Sequence, residues 1–103
     1  MATIIDQHKQ KLVELCRKYH VIGLDVFGSA ATEEFDSEKS DIDFLVLFDK
    51  SVKQNRFDNF FAFQEELERL FNKPIDLVEP GGLRNPYFIE SVNQTRMNIY
   101  VAS

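Results

Sequence analysis

Cysteine is nearly absent from this chain. The single thiol, Cys16, cannot close an internal disulfide, and one thiol cannot build a zinc site. Long apolar runs are missing too. No stretch approaches the roughly eighteen apolar residues of a membrane span, and Met1 to Lys11 lacks the apolar core of a signal peptide. No membrane partner is expected, and a cytoplasmic setting is the default reading. A basic excess is also lacking: 17 acidic residues stand against 12 basic ones, a net charge of −5. That is the wrong sign for a protein that grips duplex DNA by neutralising phosphates, so no direct duplex DNA binding is expected. There is no internal repeat, low-complexity tract or linker-like stretch. G-x-G-x-x-G and Walker-type lysine motifs are absent, which leaves dinucleotide-binding and P-loop folds without support.

What the chain does have is core-forming material and a lopsided charge. Its 103 residues allow one domain, residues 1–103. Apolar residues make up 44% and aromatics 13%, enough for a two-layer core and too much for a disordered chain. The acids are concentrated. Asp25, Glu33, Glu34, Asp36, Glu38, Asp41, Asp43 and Asp49 face Lys39 alone, a stretch of net −7 that leaves +2 for the rest.

Ile4, Ile5, His8, Leu12, Leu15, Cys16 and Tyr19 recur at helical steps and predict an amphipathic helix over about residues 3–19. Val21 to Phe27 reads as a strand ending at Gly28-Ser29. The polar, acidic residues 30–40 suit a loop or short helix. Ile42 to Phe48 is apolar at every position except Asp43, which predicts a central strand covered on both faces. Arg56 to Asn72 is a second helix, with Phe57, Phe60, Phe61, Phe63, Leu67, Leu70 and Phe71 on a wide apolar face. Ile75 to Val78, between Pro74 and Pro80-Gly81-Gly82, is a third strand. Tyr87 to Val92 reads as a short helix after Asn85-Pro86, and Met97 to Val101 as a last strand. Strands interleaved with helices in so short a chain indicate an α+β (α/β) fold, a small sheet with helices packed on it. The pattern does not contain the pairing directions.

The sharpest local feature is Ser40-Asp41-Ile42-Asp43. Strand alternation puts Asp41 and Asp43 on one face, about 7 Å apart along the chain, with Ile42 and Phe44 pointing into the core. Two carboxylates so placed can share divalent cations, which in phosphoryl-transfer sites lie roughly 3.5–4 Å apart. Most Asp-x-Asp pairs are merely a turn residue and a solvated one. Here Asp43 interrupts an otherwise buried run, where a carboxylate needs a partner or a metal. Gly28-Ser29 closes the preceding strand. Glycine lets the backbone approach a ligand, and serine offers a hydroxyl and an N–H to a phosphate oxygen, although Gly-Ser alone is more often an ordinary turn. Asp76 is another lone acid in an apolar strand. If that strand neighbours the central one, Asp76 reaches the same site as a metal ligand or general base; otherwise it is a solvated edge residue.

Taken jointly, Val26-Phe27-Gly28-Ser29, Ser40-Asp41-Ile42-Asp43-Phe44-Leu45-Val46 and Ile75-Asp76-Leu77-Val78 resemble the nucleotidyltransferase superfamily of the DNA polymerase β type. The short length and the ending from Leu83-Arg84-Asn85-Pro86-Tyr87 to Tyr100-Val101-Ala102 look most like the minimal nucleotidyltransferases, the MNT or MntA-like proteins. The resemblance spans roughly residues 20–101. It implies a mixed sheet carrying three acids, with Asp41, Asp43 and Asp76 as catalytic and metal-binding residues for two Mg²⁺ ions. Gly28 and Ser29 would hold a nucleoside triphosphate. It further implies transfer of a nucleoside monophosphate, AMP from ATP foremost, to a protein, and pairing with a HEPN-domain toxin for which the chain is the antitoxin. A second reading shares every fold residue: a non-catalytic module of the same fold that neutralises its partner by contact. Transfer to a small molecule fits less well, because relatives of that kind use a further domain to hold the acceptor.

Other residues stay outside this scheme. Arg84 and Arg96 are candidates for phosphate or partner contacts, with surface solubility as the plainer role. His8 and His20 have no spaced ligand companions. Cys16 belongs on the apolar face of its helix. Five phenylalanines between Phe57 and Phe71 exceed what a small sheet covers, so some are expected to form an exposed patch for a partner or a second copy of the chain.

Overall fold

The structure is a computed structural model that describes residues 3–32, 41–52, 55–82 and 85–102. The chain opens with two helices, α1 (Thr3–Gln7) and α2 (Lys9–Lys18), where the sequence pattern predicts one. His8 makes the break. Its ring Nδ1 bonds to the Ile4 carbonyl at 2.8 Å, taking the acceptor an α-helical His8 N–H would use. That N–H turns instead to the Ile5 carbonyl, 3.2 Å away, a tighter 3₁₀-type bond. His8 thus has a structural role, with its ring packed on Phe71 at 5.0 Å between centroids. In α2, Leu12, Leu15 and Cys16 are buried at three- and four-residue steps. Burial pushes the Cys16 thiol up to about 12, so it is an inert core residue.

Four strands follow: β1 (Val21–Phe27), β2 (Ile42–Phe48), β3 (Ile75–Val78) and β4 (Met97–Val101), in spatial order β3-β2-β1-β4. β1 lies antiparallel to both β2 and β4, whereas β2 and β3 run parallel, so the sheet is mixed. Parallel neighbours need a long crossover, here supplied by α3 (Arg56–Phe71). Phe63, Leu67 and Phe71, spaced four apart, are buried along one stripe of α3. They join α1, α2 and the inward residues Leu24, Val26, Ile42, Phe44, Val46, Ile75 and Leu77 in one core. Asn72 ends the helix at φ 53°, a left-handed C-terminal turn that Asn tolerates.

Among the described residues, the opposite face of the sheet is covered only in part, by α4 (Pro86–Thr95). Val92 is buried there with Phe27 and Leu45, and the Phe88 ring meets Phe27 edge-on at 5.8 Å. Farther along β2, Leu47 is 41% exposed. Among the described residues, the expected two-sided cover of β2 is therefore complete on one face and partial on the other. α4 also runs longer than the Tyr87–Val92 segment read from the sequence. Asn85 Oδ1 accepts the Tyr87 N–H at 3.0 Å and Pro86 occupies the first turn, which starts the helix early. Its last turn, Asn93-Gln94-Thr95, is polar because it leaves the core, and polar residues carry no apolar period.

Of residues 30–40, those described are Ala30 and Ala31, buried in a short 3₁₀ turn over Gly28–Ala31, and Thr32 after it. Ser40, Glu33, Glu34, Asp36, Glu38, Lys39 and Arg84 lie outside the described residues. No helix among those described is long and apolar enough to cross a membrane.

Candidate active site

The site is built at the start of β2, where three strands bring their polar positions to the partly covered face. β1 ends in the 3₁₀ turn, and Gly28 opens that turn with φ +69°. A side chain there would be strained, because L-residues rarely adopt the left-handed region. It would also collide: a Cβ on Gly28 would lie 2.6 Å from Asp43 Oδ2. Glycine is needed because the backbone runs directly against the carboxylate. The Gly28 N–H donates to Thr95 Oγ1 at 2.9 Å, which ties the turn to the end of α4. Thr32 closes the turn, its N–H and hydroxyl each donating to the Ser29 carbonyl at 3.1 Å. Ser29 sits half-buried within it.

Asp43 is the second residue of β2, and strand register surrounds it. Phe27 stands opposite on β1 and Asp76 opposite on β3. Asp43 and Asp76, 33 positions apart in the sequence, therefore share one face as direct neighbours, and a hydrogen bond joins their side chains. Two carboxylates this close cannot both hold full charge comfortably. Burial raises the Asp43 carboxyl, the Asp76 hydrogen bond and charge raise it further, and the Asp41 charge adds a smaller push, together lifting it from 3.8 to about 7. Asp41 lies just before β2 and is exposed. The Gln64 side chain donates to the Ile75 carbonyl at 3.0 Å, pinning the start of β3 to α3 and with it Asp76.

The arrangement fits a divalent cation of the Mg²⁺ kind. Among the described residues, no group of three or more His, Cys, Asp or Glu is already gathered to hold a metal ion. Mg²⁺ sites commonly use one or two carboxylates and complete the shell with water and substrate phosphates, not an all-protein cage. The Asp43–Asp76 pair with the Asp41 charge nearby is such a partial set, made of hard oxygen donors. A cation would relieve the repulsion that now lets a proton stay on Asp43.

Of the residues singled out in the sequence, Gly28, Asp43 and Asp76 meet in one place, Ser29 adjoins them in the turn, and Asp41 acts on Asp43 through its charge. Arg96 engages Asp25, Nε to Oδ2 3.6 Å, and Asn98 Nδ2 donates to the other Asp25 oxygen at 2.8 Å. Asp25 faces Leu45 in register and so shares the Asp43 face. Thr95 has no signal in the sequence: its bond to Gly28 crosses 67 positions. A cavity of about 420 Å³ lies elsewhere, near the other end of β2, lined by residues that include His20, Phe48, Phe60 and Phe61 but none of the three carboxylates.

A glycine turn thus lies against one carboxylate, with a second carboxylate beside it in register. The nucleotidyltransferase domain profile matches residues 8–97. A protein of Methanocaldococcus jannaschii provisionally named a protein adenylyltransferase is 37% identical over 91 residues, covering 88% of this chain and 86% of that protein. A solved structure provisionally described as a minimal nucleotidyltransferase superposes with a TM-score of 0.73 at 26% identity, covering 94% of this chain and 95% of the other. A tri-AMPylated HEPN toxin of Shewanella oneidensis in complex with its MNT antitoxin shares the fold at TM-score 0.64 and 16% identity, covering 94% and 72%. A toxin–antitoxin structure with AMP-PNP matches at 0.66 and 17%, covering 92% and 74%. The chain belongs to the nucleotidyltransferase domain family, and within it is similar to the minimal nucleotidyltransferases.

Proposed function

We propose that this chain transfers AMP from ATP to a hydroxyl of a partner protein, in a Mg²⁺-dependent reaction, and that the partner is a HEPN-domain toxin for which it serves as antitoxin. The observation that carries the reading is the Asp43–Asp76 pair, formed by strand register and abutted by Gly28. Support for the partner class comes from the toxin–antitoxin complexes that share the fold.

The residues divide the work as follows. The Gly28-Ser29 turn brings backbone and a hydroxyl to the triphosphate. Asp41 and Asp43 hold Mg²⁺, with Asp76 beside them. When bound, the metal neutralises phosphate charge and polarises the phosphorus–oxygen bonds. Asp76, exposed on the same face, takes the proton of the acceptor hydroxyl. The hydroxyl oxygen forms a bond to the α-phosphorus, the bond from that phosphorus to the bridging oxygen breaks, and pyrophosphate leaves with the electron pair.

The test is incubation with ATP labelled at the α-phosphate, Mg²⁺ and the purified partner. Label is expected on the partner and is lost in Asp43→Ala. A second reading, neutralisation by contact alone, draws on the exposed aromatics at the start of α3, where Phe57 is 77% and Phe61 51% exposed, away from the carboxylates. Full neutralisation by Asp43→Ala with no label on the partner would favour that reading.

A further inference from the structure

We propose that Thr95 is the positioning residue of the nucleotide turn: by holding the Gly28 N–H it fixes that turn against Asp43, and so sets how tightly the triphosphate is held. The inference rests on the nucleotidyltransferase reading above and adds to it a residue outside the carboxylates and the Gly-Ser pair.

The first support is the hydrogen-bond accounting. Gly28 is the first residue of a 3₁₀ turn, where a backbone N–H has no acceptor within its own turn. It donates to Thr95 Oγ1 at 2.9 Å in a part-buried setting. The donor is thus committed to α4, which leaves the amide and hydroxyl of Ser29 as the turn's groups for a phosphate. The second support is the lack of slack around Gly28. With φ at +69° and a would-be Cβ only 2.6 Å from Asp43 Oδ2, a shift of this backbone either presses on the carboxylate or withdraws from it. The third is the anchoring of Thr95 itself. Its helix packs against the turn, Val92 is buried with Phe27 and Leu45, and the Arg96 N–H bonds to the Val92 carbonyl at 2.8 Å. Beyond it, the Arg96 side chain reaches Asp25. A hydroxyl presented from so fixed a position supports the turn; it acts through Gly28 and is not a catalytic residue.

Thr95→Val keeps the shape and removes the acceptor, whereas Thr95→Ser keeps the acceptor. In the full chain, three quantities are read: amide exchange at Gly28 by NMR, calorimetric binding of Mg²⁺–AMP-PNP, and the KM and kcat of label transfer from ATP. Thr95→Val is expected to speed Gly28 exchange and weaken AMP-PNP binding by about tenfold each, with KM rising more than kcat falls, and Thr95→Ser to restore all of these. Unchanged AMP-PNP affinity in Thr95→Val overturns the proposal. Tighter binding also overturns it, because Thr95 would then be competing with the phosphate. Equal losses in the Val and Ser variants overturn it as well, since they would report packing alone. If Thr95→Val does not fold, Thr95→Ala against Thr95→Ser makes the same comparison. A wild-type chain that does not bind AMP-PNP overturns the nucleotide reading instead, and Gly28 exchange then decides whether Thr95 holds the turn.

Discussion

The two faces of the sheet are made by the same strands and differ in almost everything else. On the face beneath α1, α2 and α3, β2 contributes Ile42, Phe44 and Val46, all wholly buried. On the other face the alternate residues of that strand are Asp43, Leu45 and Leu47, half-buried, buried and exposed in turn. β3 repeats the division, with Ile75 and Leu77 inward and Asp76 outward. One face holds the fold together. The other is covered only in part among the described residues, and it gathers acids where a packed sheet would place apolar side chains. The difference teaches that site and core here are two phases of one period-2 pattern, so a single-residue change on β2 acts on stability or on chemistry according to its parity.

The largest expected effect is on the closed face. Phe63 is fully buried and touches both Tyr19 and Phe48, with ring centroids 5.8 and 6.0 Å away. Phe63→Ala should cost about 3–5 kcal/mol, a large part of the stability of a domain this size, and denaturant melts should show it largely unfolded at 37 °C. Asp43→Ala on the open face should instead reduce label transfer by roughly a thousandfold while the folded fraction holds. A comparable loss of stability in that variant would break the division between the faces.

Gly28→Ala sits on the boundary and should move both readouts. The left-handed φ and the contact with Asp43 should cost about 1–3 kcal/mol in stability, and transfer should fall further than that loss explains. Retained transfer in this variant would mean that the turn need not lie against the carboxylate. Phe57→Ala gives the opposite contrast. With the ring 77% exposed, its melt should shift by no more than about 0.5 kcal/mol.

The closed face was far easier to read from the sequence than the open one. β1 ends at Gly28-Ser29 and β3 runs between Pro74 and Pro80-Gly81, where those turn residues predict, because strand limits are written locally. The inward stripe of α3 is likewise a local period. By contrast, the adjacency of Asp43 and Asp76 depends on β2 and β3 being parallel and in register, which neither strand's composition contains. The bond from Thr95 to Gly28 joins the end of one helix to the end of a distant strand. The break at His8 turns on one ring nitrogen capturing one carbonyl, inside a segment whose apolar period is uninterrupted. What eluded the sequence in each case is a contact between groups, not a property of a segment.

The smallest and most specific contrast between the faces is in their response to pH. Among the described residues the closed face buries no charged group. Asp43 is held at about 7 in the fold against an ordinary 3.8. Between those values the folded chain keeps a proton that the unfolded chain has released, so metal-free stability falls as pH rises through this window and is lowest above it. Asp43→Asn, which never ionises, removes that fall. Its melting temperature should match the wild type near pH 4 and exceed it by a few degrees at pH 8 in EDTA. Mg²⁺ at pH 8 should then raise the wild type toward the variant, because the cation replaces the proton between the carboxylates, and should leave the Asn variant much less changed. Melting curves of both chains at pH 4, 6 and 8, with EDTA or Mg²⁺, check this. Parallel pH profiles for the two would show that Asp43 ionises as freely as a surface acid, and the open face would then carry no stored repulsion for a metal to relieve.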